Sequence, residues 1–140
     1  MKSKFADIVK IRKRKVDELQ DALARIEFQI SQLRLEIEQL IQALYHEESP
    51  SVGTINELLA LQEVKKAYKI EIENKRAYQS NLIQSKHNII EALKLANMEY
   101  EKMKYLLESE LAHHRAALKQ KEAKELDEIA VLLYNNRGVA

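Results

Sequence analysis

Between Val16 and Leu44 an apolar residue recurs at alternating steps of three and four without a miss: Val16, Leu19, Leu23, Ile26, Ile30, Leu33, Ile37, Leu40 and Leu44. Running backwards, the same rhythm selects Arg12, Val9 and Phe5, so Arg12 alone interrupts the seam. A mean spacing of 3.5 residues keeps such a stripe facing one neighbouring helix while the pair supercoils left-handedly. Ala22, Ile41 and Ala43 widen the face to be buried. A strand would alternate with a period of two, and that pattern does not occur. The segment is a coiled-coil helix.

Helix-breaking residues are concentrated in one window, His46 to Thr54, which holds the only proline and one of the two glycines. Thr54 and Glu57 have the spacing of a capping box, which opens a new helix. The chain therefore reads as a first helix over about residues 5–46, a loop over 47–53 and a second helix over about 54–135. The residues after about Asn135 are expected to fray. The whole is expected to form a single coiled-coil domain.

The second seam is looser. Leu61, Tyr68, Ile72, Leu82, Ile89, Leu93, Ala96, Tyr100, Met103 and Leu107 hold its register, while Lys65, Lys75, Gln79 and Lys86 occupy positions between them. Those polar residues predict weak packing, with a bend or break near Ser80 and Asn81. Beyond Leu107 the step changes, because Leu111 follows four residues later and Leu118 comes next. Such an insertion of four is a stutter, which locally unwinds a supercoil.

A short loop forces the two helices to run antiparallel. If His46 faces residue 55, then Phe5 falls near Ala96. On that register Tyr100, Met103, Leu106, Leu107, Leu111 and Leu118 have no partner within the chain. An unpartnered apolar stripe on a single long helix is a poor resting state in water, so the overhang must meet another chain. The expected fold is all-α: an antiparallel two-helix coiled-coil hairpin whose longer second helix extends past the first.

Charge is segregated along the chain. Residues 1–15 carry seven Lys and Arg against Asp7, whereas residues 16–57 carry nine acids against Arg25 and Arg34. The near-neutral total of +1 conceals a basic start and an acidic shaft.

Chemistry is constrained mainly by what is missing. With no cysteine there are no disulfides, thiolate metal sites or cysteine nucleophiles. Two glycines, Gly53 and Gly138, cannot build a glycine-rich phosphate loop. His113 and His114 are adjacent and point about 100° apart on a helix, so they do not form an i,i+4 metal pair. A two-helix hairpin offers no enclosed pocket in which to raise a carboxyl pKa. No enzyme, cofactor, metal or small-molecule substrate is expected. No run approaches the roughly 18 apolar residues of a membrane span.

The run from Lys10 to Lys15 ahead of heptad leucines suggests a basic zipper as an alternative, and a plain coiled-coil homodimer is another. Against the zipper, Phe5, Ile8 and Val9 carry apolar packing into the arm that should be free to read nucleic acid. The flanking pairs of a parallel dimer, such as Lys15 with Gln20 and Glu36 with Ile41, also join no opposite charges.

Two further stretches carry a family resemblance. The opening from Lys4 to Gln20 resembles that of the FliJ family of the flagellar type III export apparatus. The ending from Lys121 to Ala130, with its Leu126-Asp127-Glu128-Ile129-Ala130 run, is similar to that family's C-terminal pattern. The resemblance covers almost the whole chain. It implies a non-enzymatic, cytoplasmic coiled coil like the central stalk of rotary ATPases, peripherally associated with the inner-membrane export apparatus. The implied partners are the export ATPase ring, a membrane export-gate protein and export chaperones, with a homo-oligomer as a further option. The ATPase-facing surface would comprise Arg12, Lys13, Arg14 and Lys15 with Leu111, Leu118, Leu126, Ile129 and Leu133. The gate-facing surface would comprise Tyr45, Leu61, Gln62, Val64 and Tyr68. Where the family often has Tyr-Gln-Gln-Phe, this chain has Leu61-Gln62-Glu63-Val64, so only Gln62 matches in kind.

Overall fold

The computed structural model describes residues 3–47 and 53–138. Two helices account for nearly all of them: α1, Lys4–His46, and α2, Ile55–Gly138. No strand is present among the described residues, and the all-α hairpin with a longer second helix is borne out. Of the loop expected over 47–53, residues 48–52 lie outside the described residues.

Each helix begins at a cap that its sequence specifies. Ser3 caps α1, its Oγ accepting a 3.1 Å hydrogen bond from the Phe5 amide. Thr54 and Glu57 form the reciprocal box: the Glu57 amide donates to Thr54 Oγ1 at 3.2 Å, and the Thr54 amide donates to Glu57 Oε2 at 3.3 Å. At its other end α2 does not fray at Asn135 as expected but continues through Asn136 to Gly138. Asparagine costs a helix only about 0.7 kcal/mol, too little to end one by itself. Nor does α2 break at Ser80 and Asn81, where it is continuous.

Packing divides the chain into two units, Met1–Val16 with Ala96–Ala140 and Asp17–Leu95. In the second of these, Ile26, Ile30, Leu33, Ile37, Ile72 and Leu82 form the buried core, with Leu23, Leu40, Ile41, Leu44 and Ile89 packed against it. The direction and register of pairing follow from two ion pairs, Lys86 to Glu27 at 3.6 Å and Lys75 to Glu36 at 2.9 Å. They bring the seams together in layers that pair Ile26 with Lys86, Ile30 with Leu82, Leu33 with Gln79, Ile37 with Lys75 and Leu40 with Ile72.

These layers explain why the polar seam of α2 does not break it. Lys75, Gln79 and Lys86 are each half-buried, so their stems cover the isoleucines and leucine of α1. The two ammonium groups reach glutamates that flank the α1 seam. Glu36 holds Lys75 above the ordinary lysine range, chiefly by accepting its hydrogen bond; partial burial opposes the shift, and the Glu36 and Glu71 charges add to it.

In the other unit, Phe5, Val9 and Val16 of α1 lie along Ala96, Tyr100, Met103 and Leu107 of α2, with Val16 only 2% exposed. Ser3 Oγ donates a 2.6 Å hydrogen bond to Glu110 Oε2. Lys13 Nζ stands 5.5 Å from the Tyr100 ring centroid, and Lys104 Nζ stands 6.0 Å from it. This places Phe5 in a layer with Leu107, not with Ala96 as loop closure suggested. The offset is about eleven residues, or roughly 16 Å of helix. Tyr100, Met103, Leu106 and Leu107 are consequently half-buried by α1 and do not belong to the uncovered stripe. The overhang begins at Leu111, and every residue from there to Arg137 is exposed.

Candidate partner-binding surfaces

The first candidate surface lies in the unit that holds both chain termini. Leu111, Leu118, Leu126, Ile129 and Leu133 are exposed at 39, 45, 66, 53 and 58%. Val131, Leu132 and Tyr134 are also exposed, so the last turns of α2 present large apolar side chains on several faces. A sequence with no packing to answer to would carry polar residues there. An apolar stripe this long on a bare helix makes this end of α2 a candidate interaction surface.

Arg12, Lys13, Arg14 and Lys15 are exposed on α1 in the same unit. Arg12 shares a layer with Tyr100, so the cluster stands beside covered α2 and does not border the bare stripe. Leu118 lies roughly 27 Å further along the axis. The basic residues and the leucines are thus two patches. Phe5 and Val9, half-buried against α2, tie the basic segment down.

Where α1 begins, the two helices leave an open groove of about 560 Å³, lined by Ser3, Phe5, Leu106, Ser109, Glu110, Leu111, His113, His114 and Ala117. Sequence reasoning missed it, because it exists only where the coverage of α2 stops. The available signal was Ser3, whose type marks a cap and hence the first turn of α1.

The second candidate surface lies in the unit Asp17–Leu95. Tyr45 is 79% exposed and borders an open groove of about 310 Å³ with Ile41, Leu44, Lys69, Ile72, Glu73 and Arg76. Tyr68 is half-buried, and the register set by the two ion pairs puts it in a layer with Leu44. Leu61 is half-buried, while Gln62 and Val64 are exposed on the first turns of α2. Phe28 and Tyr78 line a further shallow groove with Gln29, Gln32, Leu33 and Glu36.

Among the described residues no cluster of His, Asp or Glu could hold a metal ion. Nor is any helix among the described residues long and apolar enough to cross a membrane.

Comparison with curated proteins gives no match, and neither does comparison with solved structures. A family model described as the flagellar FliJ protein matches residues 1–139. That match spans both helices, the basic start and the Leu126–Ala130 run whose pattern suggested the resemblance. The chain belongs to the flagellar FliJ protein family, and so to the components of flagellar type III export.

Proposed function

We propose that the chain works as a non-enzymatic docking element of the export apparatus, one that engages the export ATPase ring through the bare end of α2. The observation that carries this reading is the exposure of Leu111, Leu118, Leu126, Ile129 and Leu133 on a helix that α1 has ceased to cover. Arg12, Lys13, Arg14 and Lys15 form a basic patch that would orient the encounter with an acidic face of the ring. Tyr45, Leu61, Gln62, Val64 and Tyr68 are the proposed contact for the membrane export-gate protein, with Tyr45 as a large amphipathic anchor. Escort of export chaperones and a cytoplasmic position at the inner-membrane apparatus belong to the same reading.

Binding and ATPase stimulation test it. Purified chain should raise the turnover of the export ATPase, and Leu118→Glu combined with Ile129→Glu should abolish that rise without loss of helicity. Equal turnover with the chain, with the variant and with neither would refute the proposal. Tyr45→Ala should leave ATPase stimulation intact and weaken capture of the gate protein's cytoplasmic domain.

A further inference from the structure

Within the unit Asp17–Leu95 the hairpin has two flanks of different chemistry. One is formed beside Leu33 and Lys75 by Gln29, Gln32, Glu36 and Gln39 of α1 with Asn74, Tyr78, Asn81 and Ser85 of α2. All eight are exposed, yet only Glu36 is charged, and it already accepts a 2.9 Å hydrogen bond from Lys75 Nζ. Over the same layers the opposite flank carries Glu27, Arg34, Glu38, Glu73 and Arg76. In a chain that is 32% charged, contact with water accounts for the second flank and not for the first. Phe28 and Tyr78, 63% and 55% exposed, border the uncharged flank's groove of about 250 Å³, and Leu35 is exposed one heptad beyond Phe28. Depletion of charge beside exposed aromatics is the compositional mark of an interface centre.

We propose that this flank docks an α-helix of another protein whose facing stripe carries apolar, amide and hydroxyl side chains and no charge. Two helices side by side leave a furrow that one further helix fills. Phe28 and Tyr78 supply the large anchors, and the glutamines and asparagines pair with amides or hydroxyls. A charge brought onto this flank would lose its water and find Glu36 already taken by Lys75. Arg25, level with His87, and Glu71 close the uncharged stretch at its ends, roughly 24 Å apart along the axis, so the docked segment is four to five turns long. A second copy has the wrong shape, because at this flank it presents the same furrow, and its bare α2 stripe is interrupted by Arg115 and Glu122. None of the residues assigned to the ring or the gate takes part, so this is a third surface.

Two synthetic helical peptides of about 18 residues test the proposal. Both carry one stripe of Leu, Ala, Gln and Ser, and in the second peptide two stripe positions are replaced by Glu and Lys. The receptor is the full chain carrying Leu118→Glu and Ile129→Glu, so that the bare end does not take up peptide. Affinity is read by fluorescence anisotropy, the site by NMR and helicity by circular dichroism. The uncharged peptide should bind about tenfold or more tightly than the charged one, shifting the amides of Phe28, Gln32, Leu35 and Tyr78. Gln32→Glu and Tyr78→Ala should each weaken binding by about tenfold or more, whereas Glu38→Gln on the opposite flank should change nothing. Equal binding of the two peptides, no binding at about 1 mM, or shifts confined to the opposite flank overturn the proposal. A dimer in sedimentation equilibrium that Tyr78→Lys dissolves assigns the flank to a second copy and overturns it too.

Discussion

The Ser3 hydroxyl donates to Glu110 Oε2 at 2.6 Å, joining residues 107 apart in sequence, while its oxygen also accepts the Phe5 amide. One side chain thus caps α1 and fastens that cap to the last half-buried turn of α2. Ser3→Ala should cost about 1 kcal/mol. It should also speed amide exchange over residues 4–9. Glu110→Ala keeps the cap and should have a smaller effect on both. Hydrogen exchange followed by NMR separates the two, and equal effects would show that the cap contributes nothing beyond the cross-helix bond.

Stability should be concentrated in the core layers. Ile37, 7% exposed, packs within the cluster of Ile26, Ile30, Leu33, Ile72 and Leu82. Ile37→Ala should cost about 2–5 kcal/mol in urea unfolding. Ile129→Ala, at an exposed position, should stay within about 0.5 kcal/mol of the parent.

The Lys75–Glu36 pair is partly exposed, so its net contribution to stability should be small. Its pH signature is more distinctive. Because Glu36 raises the folded-state pKa of Lys75, the stabilisation is fully present below the ordinary lysine value. It should fade as pH rises through the raised one. Glu36→Gln should remove that alkaline component from the stability profile. Lys75→Leu should remove it too, while holding or raising stability at neutral pH, since an apolar residue fits the layer with Ile37.

Register can be checked by cross-linking. A chain carrying Phe5→Cys and Leu107→Cys should close internally with a short thiol cross-linker at low protein concentration. Phe5→Cys with Ala96→Cys should not, since those positions stand roughly 16 Å apart along the helix. The opposite outcome would restore the register inferred from loop closure.

Much of the fold could be read from spacing. The seam of α1, the flanking positions Ala22, Ile41 and Ala43, and the seam of α2 through its lysines all occupy the buried or half-buried face. Thr54 and Glu57 make the box that their spacing announced. Register was not legible, because a heptad pattern matches its partner equally well after every shift of seven residues. The choice between those alternatives rests on polar groups: Glu27 with Lys86, Glu36 with Lys75, and Ser3 with Glu110. Counting back from the loop assumed that α2 starts level with His46. In fact Leu44 shares its layer with Tyr68, well beyond Ile55. That error carried into the overhang, which was drawn to include Tyr100, Met103, Leu106 and Leu107. The residues proposed as docking surfaces were legible only as exposed apolar or basic positions, since nothing in a spacing names a partner.

The lysines and glutamine in the α2 seam have a consequence for how the chain is made. During synthesis α1 leaves the ribosome first, with Val16, Ile26, Ile30, Leu33 and Ile37 bare, and could zip onto any similar helix emerging from a neighbouring polysome. α2 is a poor match for its own kind over Lys75–Lys86, because two copies would crowd ammonium groups together. Beside α1 those same ammoniums find Glu36 and Glu27. Over Lys75–Lys86 the seam charges therefore favour pairing of α2 with α1, whose glutamates answer them, over pairing with a second α2.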